Sequence, residues 1–130
     1  MDRPMDEQAV DPAAFARLRE FGGDPFVIEM IDRFTQYAPG RTAAARDALR
    51  SGDATALAAA VHPLKSSAGH VGAKGMSELA RQIEGMAASG SADLPALVDR
   101  LTAECDAVLR LLAGERRKLT AQPDDANKGA

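Results

Sequence analysis

Apolar residues recur at intervals of three and four along most of this chain of 130 residues. An amphipathic α-helix shows this spacing because it buries one face, whereas a half-buried strand alternates apolar and polar residues. No segment alternates in that way over a convincing length, and short turn signals separate the periodic segments. The pattern therefore predicts an all-α protein, an antiparallel up-and-down four-helix bundle with a short extra N-terminal helix.

Turn signals divide the N-terminal part of the chain into two helical segments. Asp11-Pro12 offers an N-cap followed by a proline at the first helical position, and Gly22-Gly23 ends the short helix that starts there. Asp24-Pro25 repeats the start signal, and this second segment runs to a turn at residues 51–53. Pro39-Gly40 lies inside it, so one helix kinked at Pro39 and two consecutive helices are both possible, and the kinked helix is preferred.

Three further helices follow. They are expected from Ala54 to about Val71, from Met76 to a turn at residues 89–91, and from about Leu94 to Lys118. The helical bundle domain is thus predicted over residues 11–118. A flexible N-terminal tail is predicted at residues 1–10 and a disordered C-terminal tail at residues 119–130.

The composition favours one domain with closely packed helices. Hydrophobic residues make up 45% of the chain, which is enough for one domain core. With four Phe, one Tyr and no Trp, that core has to be built from Leu, Val, Ile, Met and Ala. Cys105 is the sole cysteine, which excludes an intrachain disulfide, and its place on an apolar stripe indicates a packed core thiol.

Charge and hydropathy argue against several classes of protein. A formal net charge of −3 provides no basic field for nucleic-acid binding, and the basic cluster at residues 116–118 is interpreted as a solvated helix end. No apolar run approaches the length of a membrane span, and the first ten residues lack the apolar core of a signal peptide. A cytoplasmic protein without nucleic-acid or membrane partners is therefore expected.

The run from Ala60 to Ala73, AVHPLKSSAGHVGA, places one histidine on the outside of a helix. The buried face of that helix is marked by Val61, Leu64, Ala68 and Val71. A second stripe, rotated by about 100° toward water, is formed by His62, Lys65, Ser66 and Gly69. An exposed imidazole with an ammonium group one turn away and small side chains beside it is suited to presenting a histidine to another protein.

This run resembles the signature of histidine-containing phosphotransfer (HPt) domains, H-x-L-K-G-S/A-S/A-x-x-x-G-A. The resemblance is carried by residues 62–68 and again by Gly72-Ala73. The ALRSGD turn before the histidine and the MSELARQIEGMAASG segment after it are also similar to the family. The similarity therefore extends over most of the predicted bundle.

The resemblance implies a phosphotransfer intermediate without kinase activity of its own. In such a phosphorelay, the receiver domain of a hybrid sensor histidine kinase passes a phosphoryl group from its aspartate to the histidine, which passes it to the aspartate of a response-regulator receiver domain. By the resemblance, His62 is the phosphorylated residue and Lys65 its electrostatic partner. Glu84, on the facing helix, either orients the imidazole through a hydrogen bond or is an ordinary solvated charge.

The same resemblance assigns Ser66, Gly69 and Gly72 to the partner-binding region, with Gly72 also allowing close helix packing beside the site. No cofactor is expected on this chain, because the Mg²⁺ of the reaction belongs to the partner receiver domain. No metal site is expected either, since His62 and His70 are two helical turns apart, about 12 Å, which is too far to share an ion. A monomer is expected because the bundle buries its apolar stripes within one chain.

Two positions depart from the family pattern. Ser66 stands where the family commonly has glycine, and it adds a hydroxymethyl group where a receiver must approach. Pro63 removes one helical hydrogen bond, which frees the carbonyl of Ala59 and costs about 3 kcal/mol unless the helix kinks or the packing absorbs the cost. These departures motivate a second hypothesis, a pseudo-HPt adaptor that binds a receiver or kinase without accepting phosphate.

Overall fold

Four long helices make up the part of the chain that the computed structural model describes, residues 9–121. They are α1 (Ala13–Ser51), α2 (Ala54–His70), α3 (Lys74–Met86) and α4 (Leu94–Ala121), with a short 3₁₀ turn, Ala87–Ser89, after α3. Helix α1 packs against α2 and α4, and α3 packs against the same two helices. Short turns join consecutive helices, so neighbours run antiparallel and the predicted all-α bundle is confirmed.

Helix α1 is interrupted near its start, at Gly22 and Gly23. Their backbone angles are φ −157°, ψ 17° and φ 74°, ψ −170°. A positive φ is readily adopted only by glycine. This break separates the predicted short N-terminal helix from the long first helix of the bundle. At Pro39 the backbone stays helical, so the interpretation as two consecutive helices at that point is wrong.

Pro39 and Pro63 both lie inside helices that continue past them. A proline leaves the carbonyl four residues earlier without its helical donor. The two carbonyls concerned belong to Thr35 and Ala59, and both residues are exposed to solvent, where water can bond them. Helix α2 therefore carries His62 on a continuous helix.

The start of α2 is set by the turn at residues 51–53. Gly52 adopts a φ of 71° and ends α1 in the left-handed conformation. The Asp53 side chain then accepts a hydrogen bond of 2.9 Å from the backbone N–H of Ala56, which makes it the N-cap of α2. This agrees with the helix end and start predicted there.

Small side chains bring the helices close together. The fully buried alanines include Ala38, Ala45, Ala60, Ala68 and Ala80. The largest buried side chains include Ile31, Leu64, Met76, Ile83, Leu101 and Leu112. Cys105 lies in this core as predicted, and burial, with a smaller contribution from Asp106, raises the pKa of its thiol to about 11.

Packing extends beyond the predicted domain boundaries at both ends. Ala9 and Val10 lie within the predicted flexible tail but are buried, because this apolar pair packs into the core. Helix α4 continues to Ala121, past the predicted end at Lys118, because Leu119 is also buried in the core. The rest of the predicted tails, residues 1–8 and 122–130, lies outside the described residues.

An ion pair on the surface connects α4 to α1. Arg116, interpreted from the sequence as part of a solvated helix end, donates two hydrogen bonds to the carboxylate of Asp32, at 2.7 and 3.0 Å. The sequence interpretation missed this partner because Asp32 is distant along the chain. None of the described helices is long and apolar enough to span a membrane.

A substitution at Gly72 tests how tightly the turn between α2 and α3 is packed. Its φ is 84°, and a Cβ there would lie 2.7 Å from the Asp11 carbonyl oxygen and 2.8 Å from the Ala14 Cβ. We therefore expect Gly72→Ala to lower the free energy of unfolding by about 2 kcal/mol or more, measured by urea denaturation.

Gly40→Ala is the matched control for this substitution. Gly40 lies inside α1, and a Cβ there would meet nothing within 4 Å. The control is expected to raise the free energy of unfolding by about 0.5–1 kcal/mol. If Gly72→Ala were as stable as the wild type, this account of the turn would be wrong.

Candidate functional site

His62 projects from the middle of α2 into solvent. Its side chain is 64% exposed, whereas its neighbours Val61 and Leu64 are fully buried on the opposite face of the helix. The buried neighbours hold the backbone of this turn in place while the imidazole stays open to a partner. This exposure agrees with the polar stripe that the sequence pattern predicts.

The carboxylate of Glu84, on α3, joins His62 to Lys65. Glu84 Oε2 lies 2.6 Å from His62 Nδ1, and Glu84 Oε1 lies 2.6 Å from Lys65 Nζ. The Glu84 and Lys65 side chains are 27% and 33% exposed, so both are partly shielded beside the open imidazole. The three residues therefore form one cluster across the α2–α3 pair, and Glu84 is engaged with the imidazole rather than free in solvent.

Hydrogen bonds keep the Glu84 carboxyl group ionised to lower pH than usual. The bond from Lys65 and then the bond from His62 lower its pKa below the ordinary 4.5, against a smaller effect of desolvation. Glu84 is thus ionised near neutral pH and acts only as an acceptor.

The ionised carboxylate also decides which nitrogen of His62 carries the proton. Because Glu84 accepts, Nδ1 of the neutral imidazole must be the protonated nitrogen. The lone pair is then on Nε2, the second ring nitrogen of this exposed side chain. The unprotonated nitrogen of the cluster therefore belongs to a largely exposed side chain.

The three predicted partner-binding residues lie in different surroundings. Ser66 is exposed, one turn from His62 on the same helix. Gly69 is half-buried, and the nearest atom to a Cβ built there is Ser77 Oγ, at 4.0 Å. Gly72 is buried, and its carbonyl accepts a 2.9 Å hydrogen bond from the N–H of Asp11. Gly72 thus packs against the N-terminal segment and is not part of an exposed docking face.

Two features near the site were missed by the sequence analysis. The hydroxyl of Ser77, on α3, donates a 2.7 Å hydrogen bond to the backbone carbonyl of Lys65. The sequence offered one weak signal, since Ser77 and Glu84 are seven residues apart and so share a helix face. The second feature is a groove of about 500 Å³ between α1 and α2, whose lining includes Met30, Phe34, Tyr37, Ser67, His70 and Val71.

Metal-binding side chains do not cluster in residues 9–121. No group of three or more His, Cys, Asp or Glu residues in that range could hold a metal ion. His70, the other histidine, is exposed at the end of α2 and lines the groove.

Comparison with known proteins finds similarity over most of the chain. The sequence profile of the Hpt domain matches residues 29–111, a range that contains His62, Lys65, Ser77 and Glu84. A solved structure, that of histidine-containing phosphotransfer protein B (HptB) from Pseudomonas aeruginosa PAO1, is similar with a TM-score of 0.77 and 27% sequence identity. The similarity covers 85% of this chain and 96% of that protein. Comparison with curated proteins finds no match.

The pKa of Glu84 provides a test of the cluster. We expect its carboxyl group, followed by NMR, to titrate below 4.5 in the wild type. Lys65→Met should raise that pKa more than His62→Gln does, because the Lys65 bond is the larger cause of the shift. Lys118→Met, on α4, serves as a charge-matched control that should leave it unchanged.

Stability should follow the same titration. A carboxyl group whose folded pKa is lowered stabilises the fold above its unfolded pKa, and this contribution is lost as the pH falls through the folded pKa. The difference in unfolding free energy between the wild type and Glu84→Gln should therefore shrink below pH 4.5. A difference that stayed constant through this range would contradict the assignment.

Proposed function

Because the chain belongs to the Hpt domain family, whose members carry phosphoryl groups and are not kinases, we propose that it relays a phosphoryl group between receiver-domain aspartates through Nε2 of His62. The observation that supports this assignment most directly is the 2.6 Å contact between His62 Nδ1 and Glu84 Oε2. That contact leaves Nε2 unprotonated on an exposed side chain. The match to the family alone would not select the nitrogen.

The proposed transfer moves a phosphoryl group from an aspartate to His62 in one step. The Nε2 lone pair attacks phosphorus of an aspartyl phosphate, a P–N bond forms, and the P–O bond to the aspartate breaks as the carboxylate leaves with its electron pair. Positive charge develops on the imidazole during the attack, and the Glu84 carboxylate at Nδ1 stabilises it. The Nδ1 proton stays in place, and the reverse step returns the phosphoryl group to a second aspartate.

Lys65 contributes charge beside the transferred group. Its ammonium group, one helical turn from His62, bonds Glu84 at 2.6 Å in the unphosphorylated protein. Phosphoryl oxygens on Nε2 would attract the same ammonium group, because charge-assisted bonds to phosphate are strong. Lys65 thus neutralises Glu84 before transfer and the phosphoryl group after it.

The proposed partners are those that the family implies, and the exposure of His62 supports them. An imidazole 64% exposed on a helix is open to a receiver domain of a hybrid sensor kinase or of a response regulator. Ser66 lies on the same exposed face and would contact the docked receiver. The Mg²⁺ required by the reaction is supplied by the receiver, so this chain needs no cofactor. A relay between such partners operates in the cytoplasm.

A pseudo-HPt adaptor remains the second candidate because Ser66 replaces the glycine common in the family. Pro63 supports that candidate less, since α2 continues through it. Serine adds one small side chain to the docking face and leaves His62, Lys65 and Glu84 together. The two candidates differ in one measurable property, which is acceptance of phosphate.

Intact-mass analysis after incubation with phosphoramidate tests the proposal. The wild type should gain one acid-labile phosphoryl group, and His62→Gln should gain none. His70→Gln is the matched control, since it removes the other exposed histidine of α2 and should behave as the wild type. Glu84→Gln should accept the group about tenfold more slowly or worse, because the imidazole loses its orienting carboxylate.

Circular dichroism should show that all variants are folded. Equal phosphorylation of His62→Gln and the wild type would show that His62 is not the phosphorylated residue. The adaptor would be favoured by a different pair of results. The folded wild type would gain no phosphoryl group from the donor, and the wild type and His62→Gln would bind receiver domains equally well.

A further inference from the structure

Helices α2 and α3 are joined by polar contacts at two levels above their connecting turn. In the described residues these are the bonds of the Glu84 carboxylate to His62 and Lys65, and the 2.7 Å bond from the Ser77 hydroxyl to the Lys65 carbonyl. The first contact forms the proposed site. The second involves no atom that reacts, and the phosphotransfer proposal does not use it.

The Ser77 bond differs from the other hydroxyl bonds of these helices. Serine and threonine in helices usually donate to a carbonyl three or four residues earlier in the same helix. In the described part of α1 and α4, the hydroxyl groups of Thr42, Ser51, Thr102 and Thr120 do so. Ser77 instead donates to a residue twelve positions away on a different helix. Its hydroxyl group therefore connects two elements.

The bond is not needed to satisfy the Lys65 carbonyl. Lys65 lies within α2, where the helical donor to its carbonyl is the N–H of Gly69. A carbonyl oxygen has two lone pairs, so it can accept from Ser77 as well. The added bond therefore holds the backbone of Lys65 against α3. Ser77 Oγ is also the nearest atom to a Cβ built at half-buried Gly69 on the next turn of α2.

Ser77 and Glu84 share one face of α3. They are seven residues apart, which is two turns or about 10 Å along the helix axis. A bond that fixes Lys65 relative to Ser77 also fixes Lys65 relative to Glu84, because α3 between them is a continuous helix. Sliding or rotation of α3 against α2 would move the Glu84 carboxylate away from His62 and Lys65.

We infer that Ser77 is a positioning residue, whose hydroxyl sets the register of α3 against α2 so that the Glu84 carboxylate meets His62 Nδ1. Its effect on the tautomer of His62 follows from the geometry alone, and its effect on phosphoryl transfer rests on the proposed function. Loss of the hydroxyl group leaves the Lys65 carbonyl with its helical donor. The fold is therefore expected to survive the change while the register loosens.

The test compares the wild type with three variants. Ser77→Ala removes the hydroxyl group and Ser77→Thr retains it. Thr102→Val is the matched control, because it removes a half-buried hydroxyl group that donates within α4. Should Ser77→Ala unfold, Ser77→Cys replaces it, since cysteine keeps the volume and is only a weak donor.

Two properties are measured on each folded protein. The first is the tautomer of His62, read from ¹⁵N chemical shifts at a pH above which these shifts no longer change. The second is the rate of phosphorylation of His62 by phosphoramidate. In Ser77→Ala we expect a larger fraction of Nε2-protonated imidazole and a rate about two- to tenfold lower, the range that one hydrogen bond accounts for. Ser77→Thr and Thr102→Val should match the wild type in both.

The first three of the following results would overturn the inference, and the last two separate the tautomer from the transfer reaction. A wild-type tautomer in Ser77→Ala would show that the register does not depend on the hydroxyl group. An equal change in Thr102→Val would indicate general loosening, and failure of Ser77→Thr to restore the wild type would exclude the hydroxyl group as the cause. A changed tautomer in Ser77→Ala with an unchanged rate of phosphorylation would show that Ser77 positions Glu84 but does not affect the transfer reaction. If the wild type accepts no phosphoryl group, the proposed function fails while the tautomer still decides the role of Ser77.

Discussion

The packing of α2 against α3 is the constraint on which the site depends. Glu84 reaches His62 and Lys65 at 2.6 Å only because the two helix backbones lie close together at this level. Each of the two helices buries a small side chain, Ala68 on α2 and Ala80 on α3, and small side chains favour a short distance between packed helices. The electrostatics of the imidazole are therefore a product of core packing as much as of the charged residues themselves.

The site combines exposure with order. A histidine in open solvent normally samples several rotamers and both tautomers, which weakens it as a nucleophile. The His62 side chain is largely exposed, yet its Nδ1 is bonded to Glu84. The fully buried residues Val61 and Leu64 anchor the same turn of α2 to the core. The imidazole is thus oriented although it is largely exposed.

The N-terminal segment contributes to the same helix pair from the end of the bundle. Asp11 bonds the Gly72 carbonyl in the turn between α2 and α3, and its side chain pairs with Lys74 at the start of α3, at 3.1 Å. The hydrogen bond from the backbone N–H of Ala13, and then the bond to Lys74, lower the pKa of the Asp11 carboxyl group. The segment before α1 thus helps to hold the turn that sets where α3 begins.

The sequence by itself determined the helical class, the helix starts at capping residues such as Asp53, and the exposed stripe that carries His62. These are local properties, which follow from the spacing of apolar residues and the chemistry of caps. It pointed to Glu84 only through family resemblance, and it left the choice between an orienting bond and a solvated charge open. Only the tertiary structure decided that choice, placed Gly72 in the packed turn, paired Arg116 with Asp32 and showed the Ser77 bond across helices. Each of these joins residues from different elements, and the distance between them depends on how the helices pack, which no single helical pattern specifies.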